Sequence, residues 1–505
     1  MATAQSANTH STQLQSPLYR LPRELRDEIY EYYADGRRSY EYNKDTQKLR
    51  YRDTAARVEN LGLIVTCKIA AEEMKRVAFQ KAEFSTRCSA YDISEFMGLR
   101  SRRQRMLVCV TELLQASDFV DIEARYPNMG LYFGDLLPQA IAEQRDKFGV
   151  WMGSIRVNHV AHQACIDALL FALHRAHSRS PERFAQLTGR VFGKGNCPVG
   201  LWRDQNNIFN QGSLIELLLW RPDPWLLPQD EDLSRMETLL CKQSDPRPPR
   251  AIDFELCHRS MENIRCYFSA AAVAIHYLHS LPPKQWLNLR KIILYEDRKS
   301  LLRPACHARG LIGFCKSNSS LRVEHNIGLL SNLLPESTDL GIDDRFILGS
   351  TCLGVTVPWI EEALSLAASG ITTNAYRLII DGSTTKAVQT FRLLKYAAAM
   401  QEAMLTQAER NNLQPTPWVR SGYGQVTSLP WHLPAGFPNV IRAIMNGTSN
   451  IQFTGPVGDL WDSDLMFFES QDWTIADWRN EWKEKIVLCG PETTFYEDTQ
   501  KWYEL

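Results

Sequence analysis

Leu289-Arg-Lys-Ile-Ile-Leu-Tyr295 and Ala375-Tyr-Arg-Leu-Ile-Ile-Asp381 are two continuous apolar runs, the second closed by Gly382. Runs of this length, rich in Ile and Leu, read as buried strands. The residues around them read as helices. Ser269 can cap a helix through His279, residues 304–315 and 358–368 form two more, and an Ala/Met/Gln-rich helix runs from about Thr385 to Asn411. Residues 321–324 read as a short strand. Apolar strands alternating with helices imply an α/β body with mostly parallel strands covered by helices. The spacing is irregular, so no solenoid repeat is expected.

Working towards the N-terminus, Ser244-Asp-Pro-Arg-Pro-Pro-Arg250 is the clearest linker-like punctuation, and Leu214-Ile-Glu-Leu-Leu-Leu-Trp220 reads as a strand before a Pro-rich loop. At 505 residues the chain has room for two or three folding units. The expected division is a polar tail over 1–15, a small helical module over 16–90, a helix-rich middle over 91–245, and the α/β body over 250–505. The body ends in a Trp-rich tail in which Trp478 and Trp482 stand one turn apart, as on a helix docked against the core.

The module reads as two amphipathic helices around a hairpin. Leu21, Leu25, Ile29, Tyr32 and Tyr33 share one face of the first, with Arg23, Glu24, Arg26, Asp27, Glu28 and Glu31 on the other. Burying such a face would contribute roughly 8–15 kcal/mol gross, and a helix this short needs a packing partner. Tyr40 to Tyr51 reads as a hairpin turning at Asn-Lys-Asp-Thr-Gln. Leu63, Cys67, Ala70, Met74 and Val77 line the second helix.

These residues also carry a resemblance. Leu21-Pro22-x-x-Leu25-x-x-x-Ile29-Tyr30, followed by Thr66-Cys67-Lys68 and Glu73 to Phe79, resembles the degenerate F-box-like domain of filamentous-fungal proteins. Leu281-Pro282 ahead of the 289–293 strand, and Ala305-Cys-His-Ala-Arg-Gly-Leu311, are similar to segments of the same proteins. The resemblance implies that Leu21, Pro22, Leu25 and Ile29 meet the Skp-family linker of a cullin–RING ubiquitin ligase, with a protein client held by the body. The gap from Pro22 to Cys67 is longer than in an ordinary F-box, and the hairpin fills the difference.

Net charge is −1, so no global field selects nucleic acid or an anionic membrane. The charge is asymmetric: residues 1–110 carry 19 Lys/Arg against 14 Asp/Glu, and residues 459–505 carry 4 against 12. None of the twelve cysteines forms Cys-x-x-Cys, which argues for buried reduced thiols. The first fifteen residues lack an apolar signal-like core, and no run reaches the length of a membrane span; 268–278 is the longest candidate, interrupted by His276. An intracellular protein, cytoplasmic or nuclear, is expected. The sequons at Asn318 and Asn446 then carry no meaning.

Chemical motifs are sparse. His159, His162, Cys165, His174 and His177 offer only adjacent pairs along a helix, with no third metal ligand. Trp461-Asp-Ser-Asp464 has the form of a metal-holding Asp-x-Asp but lacks a nucleotide-binding half. Gly189 to Lys194 has one residue too few for a phosphate loop, and Arg100 to Arg105 reads as a solvated basic run. No catalytic residue, cofactor or metal is assigned. The expectation is a protein-interaction protein, with an orphan enzyme whose site lies in the α/β body, or a purely structural protein, as the alternatives.

Overall fold

The computed structural model describes residues 16–34, 40–43, 48–51, 66–88, 116–125, 163–182, 223–235, 267–329, 346–411 and 433–488, apart from positions 79, 230, 233, 299, 301–303, 373, 434–435 and 484. The polar tail over 1–15, Leu63 of the second helix, the basic run at 100–105, the histidines at 159 and 162, the glycine pair at 189–194, the strand at 214–220 and the linker at 244–250 lie outside these residues.

One seven-stranded sheet organises the rest. Its strands are β1 (Tyr40–Asn43), β2 (Lys48–Tyr51), β3 (Lys81–Ser85), β6 (Lys291–Glu296), β7 (Arg322–Gly328), β9 (Tyr376–Asp381) and β10 (Ile451–Phe453). The intervening β4 (Arg87–Cys88), β5 (Tyr267–Phe268), β8 (Phe346–Leu348) and β11 (Ile486–Leu488) form two small separate pairs. The order across the large sheet is β10-β9-β7-β6-β3-β1-β2, so each strand lies beside its predecessor in this sheet except β3, which pairs with β1 and leaves β2 at the edge. All pairs are parallel except the β1–β2 hairpin, where Tyr40 faces Tyr51. The expected mostly parallel α/β arrangement is present. The sheet also runs through both the N-terminal stretch and the body, because β3 pairs with β6 from Lys81–Lys291 to Ser85–Tyr295.

Register separates the two faces of this sheet. Ala82, Phe84, Ile292, Leu294, Val323, Ile327, Leu378, Ile380, Ile451 and Phe453 fall on one side and join a single core. Against them pack α5 (Ala270–Ser280), a 3-10 turn (Pro304–Leu311), α8 (Gly349–Ala368), α9 (Thr385–Arg410) and α10 (Phe437–Met445). The other side carries Arg322, Arg377 and Gln452, all exposed, with half-buried Lys291, Tyr295, Glu324 and Asn326. This one-sidedness shows in β7, β9 and β10, which alternate buried and open residues; for β9 the sequence suggested a continuous buried run.

Local departures have clear causes. Strand β7 runs four residues past the expected Glu324, because His325, polar in sequence, is buried and hydrogen-bonded. Helix α8 starts nine residues before Pro358, which lies inside it. An internal proline costs about 3 kcal/mol, and the buried Leu353, Val357, Trp359, Ile360 and Leu366 on both sides of it outweigh that cost. Ser269 caps α5 as expected, accepting the Ala272 N–H at 3.0 Å. The apolar run 268–278 is therefore core, and among the described residues no helix is long and apolar enough to cross a membrane.

Candidate functional site

The N-terminal helices are α1 (Arg23–Ala34) and α2 (Lys68–Ala78), held together by one carboxylate. Glu73 of α2 accepts from Arg26 Nε at 3.0 Å and Arg26 Nη2 at 2.6 Å, and from the Tyr30 hydroxyl at 2.9 Å. Arg23 Nη1 adds a contact at 3.0 Å, and the third Arg26 nitrogen donates to the Leu21 carbonyl at 2.6 Å. This fork-like arrangement is the strong form of a charge-assisted hydrogen bond. Hydrogen bonds from Arg26 hold the Glu73 carboxyl below the usual carboxylate range, and burial, with Glu73 beside it, pushes the Tyr30 phenol up to about 12. Tyr19 shares a 2.7 Å hydrogen bond with Cys67, whose thiol also accepts the Ala70 N–H. Burial raises the Cys67 pKa, and the Tyr19 and backbone hydrogen bonds outweigh it, so the net direction is down.

This pin fixes the rotation of α1 and reverses an expectation. Arg26 and Tyr30 face α2, whereas the apolar stripe points outward: Leu25 is 44% exposed, Ile29 40% and Tyr32 87%. The stripe expected to pack inward lies on the surface. A neutral leucine face has less to offer the inner surface of α2, which carries Glu73, than an arginine and a phenol do. Of the four residues singled out, Pro22, Leu25 and Ile29 are exposed together, and Leu21 is half-buried with its carbonyl engaged. Tyr32 extends the same surface at the spacing i, i+4, i+7. Glu73, which orients the whole face, escaped the sequence reading because one acid among exposed Lys68 and Glu72 looks like another solvated charge.

A second polar constellation lies in the core. His325 bridges Glu296 (Nε2–Oε1, 3.1 Å) and Tyr376 (Nδ1–Oη, 2.9 Å), with Trp359 edge-on to its ring at 5.3 Å. Glu296 also accepts the Ala271 N–H at 3.2 Å, and Ser269 lies 2.6 Å from His307 Nδ1. Nearby, Arg309 pairs with Glu362. The serine, both histidines, the tyrosine and both glutamates are buried, so the geometry resembles an acid–base relay closed off from solvent. Its chemical role is to satisfy polar atoms between β6, β7, β9 and the covering helices.

The remaining motifs have structural roles. On α4 (Gln163–Arg179), following α3 (Ala116–Arg125), His174 is exposed and His177 half-buried; His159 and His162 lie outside the described residues. No group of three His, Cys, Asp or Glu able to hold a metal occurs among the described residues. Asp462 of the Asp-x-Asp accepts the Asp464 and Leu465 N–H groups, both at 3.0 Å, and so caps a helix. Asp462→Ala is therefore expected to cost about 1 kcal/mol in chemical denaturation. Asn318 is buried and its amide donates to the Leu287 and Leu289 carbonyls at 3.2 and 2.9 Å, which leaves that sequon closed in the folded protein. Trp478 and Trp482 are buried as expected, and Trp478 Nε1 donates to Gln407 at 3.1 Å. No family model, no curated protein and no solved structure matches the chain.

Proposed function

We propose that this chain is a protein-interaction protein, a substrate adaptor that docks through the outer face of α1 onto the Skp-family linker of a cullin–RING ubiquitin ligase. The N-terminal helices with their hairpin are then an F-box-like module, and the adaptor works in the cytoplasm or nucleus. One observation carries this reading: Pro22, Leu25, Ile29 and Tyr32 form an exposed apolar stripe on a helix clamped from behind by Glu73. Anchors at i, i+4 and i+7 on a rigid helix suit insertion into an apolar groove. An adaptor needs no reaction of its own; holding client and ligase together raises their effective concentration.

The test is a calorimetric titration of the full chain with a purified Skp-family linker–cullin complex. Wild type is expected to bind. Leu25→Asp with Ile29→Asp is expected to abolish binding and leave the melting curve unchanged, since both side chains are already wet. If wild type does not bind, or the folded double variant binds as well as wild type, the adaptor reading fails.

A further inference from the structure

A cavity of about 50 Å³ opens between α9 and α11 (Ser463–Ser470), which packs on α9 through buried Met466 and Ser470. That is several times the space one water needs, and about a third of the roughly 150 Å³ that admits a benzene molecule. Leu393, Ala399 and Met466 give it apolar walls. Tyr396 and Trp461 contribute their rings, because their polar tips are engaged elsewhere: the Tyr396 hydroxyl donates to Glu481 at 2.5 Å, and Trp461 Nε1 to Glu402 at 2.9 Å.

Charges of both signs line the same cavity, segregated by element. Arg392 and Lys395 stand one turn apart on α9, whereas Asp462 and Glu469 come from the cap and last turn of α11. The remaining cation, Lys485, is committed to Glu481 at 2.7 Å. Among the described residues, none of the first four has an ion-pair partner. Lys395 is the sharpest case. It is 5% exposed, and its Nζ donates to the Val457 and Asp459 carbonyls at 2.9 and 2.7 Å, which supplies no countercharge and leaves the third ammonium hydrogen over. Burial lowers the Lys395 pKa, Arg392 lowers it further, and Asp459 opposes them. An anion between Arg392 and Lys395 would relieve both the burial of an unpaired charge and the repulsion across one helical turn. On the other element, Asp462 caps α11 through Oδ1 alone and Glu469 is exposed, so both carboxylates can receive a cation.

We infer that this cavity binds a small zwitterion, an α-amino acid with a short aliphatic side chain. Its carboxylate meets Arg392 and Lys395, its ammonium meets Asp462 and Glu469, and its side chain packs against Ala399 and Met466. A simple anion or a simple amine satisfies one pair and is repelled by the other, so the mixed wall selects the zwitterion over both. The cavity is separate from α1 and independent of linker docking.

The probe is tritiated L-valine in equilibrium dialysis against the full chain. Saturable binding to a single site is expected. Isobutylamine and 3-methylbutanoate, which each keep one of the two charges, are expected to compete at least about tenfold less well than unlabelled valine. L-Phenylalanine is expected not to compete, because its ring exceeds the cavity. Arg392→Gln and Glu469→Gln each weaken binding about tenfold or more and leave the melting curve unchanged, since both side chains are exposed. Arg392→Lys keeps most of the affinity, and Leu25→Asp with Ile29→Asp binds valine as wild type does. The inference is overturned if valine shows no saturable binding up to about 1 mM. It is also overturned if either one-charge analogue competes as well as valine, because the cavity then takes an anion or an amine alone, or if both Gln variants bind valine as tightly as wild type.

Discussion

Arg309→Ala lowers the free energy of unfolding by about 3–5 kcal/mol at neutral pH, the usual result of removing one partner from a buried ion pair. Glu362 is almost wholly buried in α8 and pairs with the Arg309 guanidinium from the 3-10 turn, with Asp167 a further 3.7 Å contact of the same arginine. Burial already raises the Glu362 carboxyl above its ordinary range, with Arg309 opposing and Asp167 adding to the shift. A raised folded-state pKa means that this group's stabilising contribution is complete below the ordinary carboxylate range and is lost as pH rises through the folded value. Removing Arg309 takes away the opposing influence, so the damage is small in acid, where Glu362 is neutral, and grows towards neutrality. Urea unfolding at several pH values measures this. Arg309→Met combined with Glu362→Met should recover most of the loss, because a packed apolar pair carries no stranded charge. A loss that is flat with pH, or a double variant as unstable as the single, contradicts the assignment.

Glu73→Ala has the next largest effect, about 2–4 kcal/mol, discounted from a fully buried pair because Arg23 and part of Arg26 are open to solvent. The substitution leaves the Arg26 guanidinium and the buried Tyr30 hydroxyl without their shared acceptor. Linkage has the opposite sign here. Glu73 titrates below its ordinary range, so its contribution is present above that range and disappears as pH falls through the folded value. The variant therefore loses an acid-side slope that wild type retains, read by thermal melts from neutral to acidic pH. Glu73→Gln falls between the two, keeping an acceptor for Tyr30 and losing the charge. On the adaptor proposal, both variants are expected to weaken linker binding by letting α1 rotate, in contrast to the surface pair Leu25→Asp with Ile29→Asp, which is expected to lose binding at full stability.

The strands at 291–296 and 376–381, the cap at Ser269, the hairpin at Tyr40 to Tyr51 and the long α9 were all legible, because each rests on local pattern or propensity. What local pattern misjudged was direction. The periodicity of α1 identified the apolar stripe correctly but assigned it to the interior, since periodicity marks a face and not what that face meets. The deciding group, Glu73, is 47 residues from Arg26 in the chain. The same holds for His325 and Tyr376, 51 residues apart, whose pairing turns a polar strand residue into core. The α11 surface was partly visible as an acidic, aromatic tail, but only packing showed which aromatics turn inward, Trp478 and Trp482, and which outward, Phe468.

The β3–β6 seam sets a timetable for the chain as it is made. Lys81 pairs with Lys291, so the N-terminal strands wait for a partner that leaves the ribosome 210 residues later. At translation rates of about 5–20 residues per second that interval is roughly 10–40 s. During it, the hairpin and β3 present an open sheet edge, which invites pairing with other chains. Strands β6, β7, β9 and β10 wait less, since their paired residues lie 31 to 73 positions apart. The N-terminal strands, up to Ser85, therefore join β6 only after it has been made.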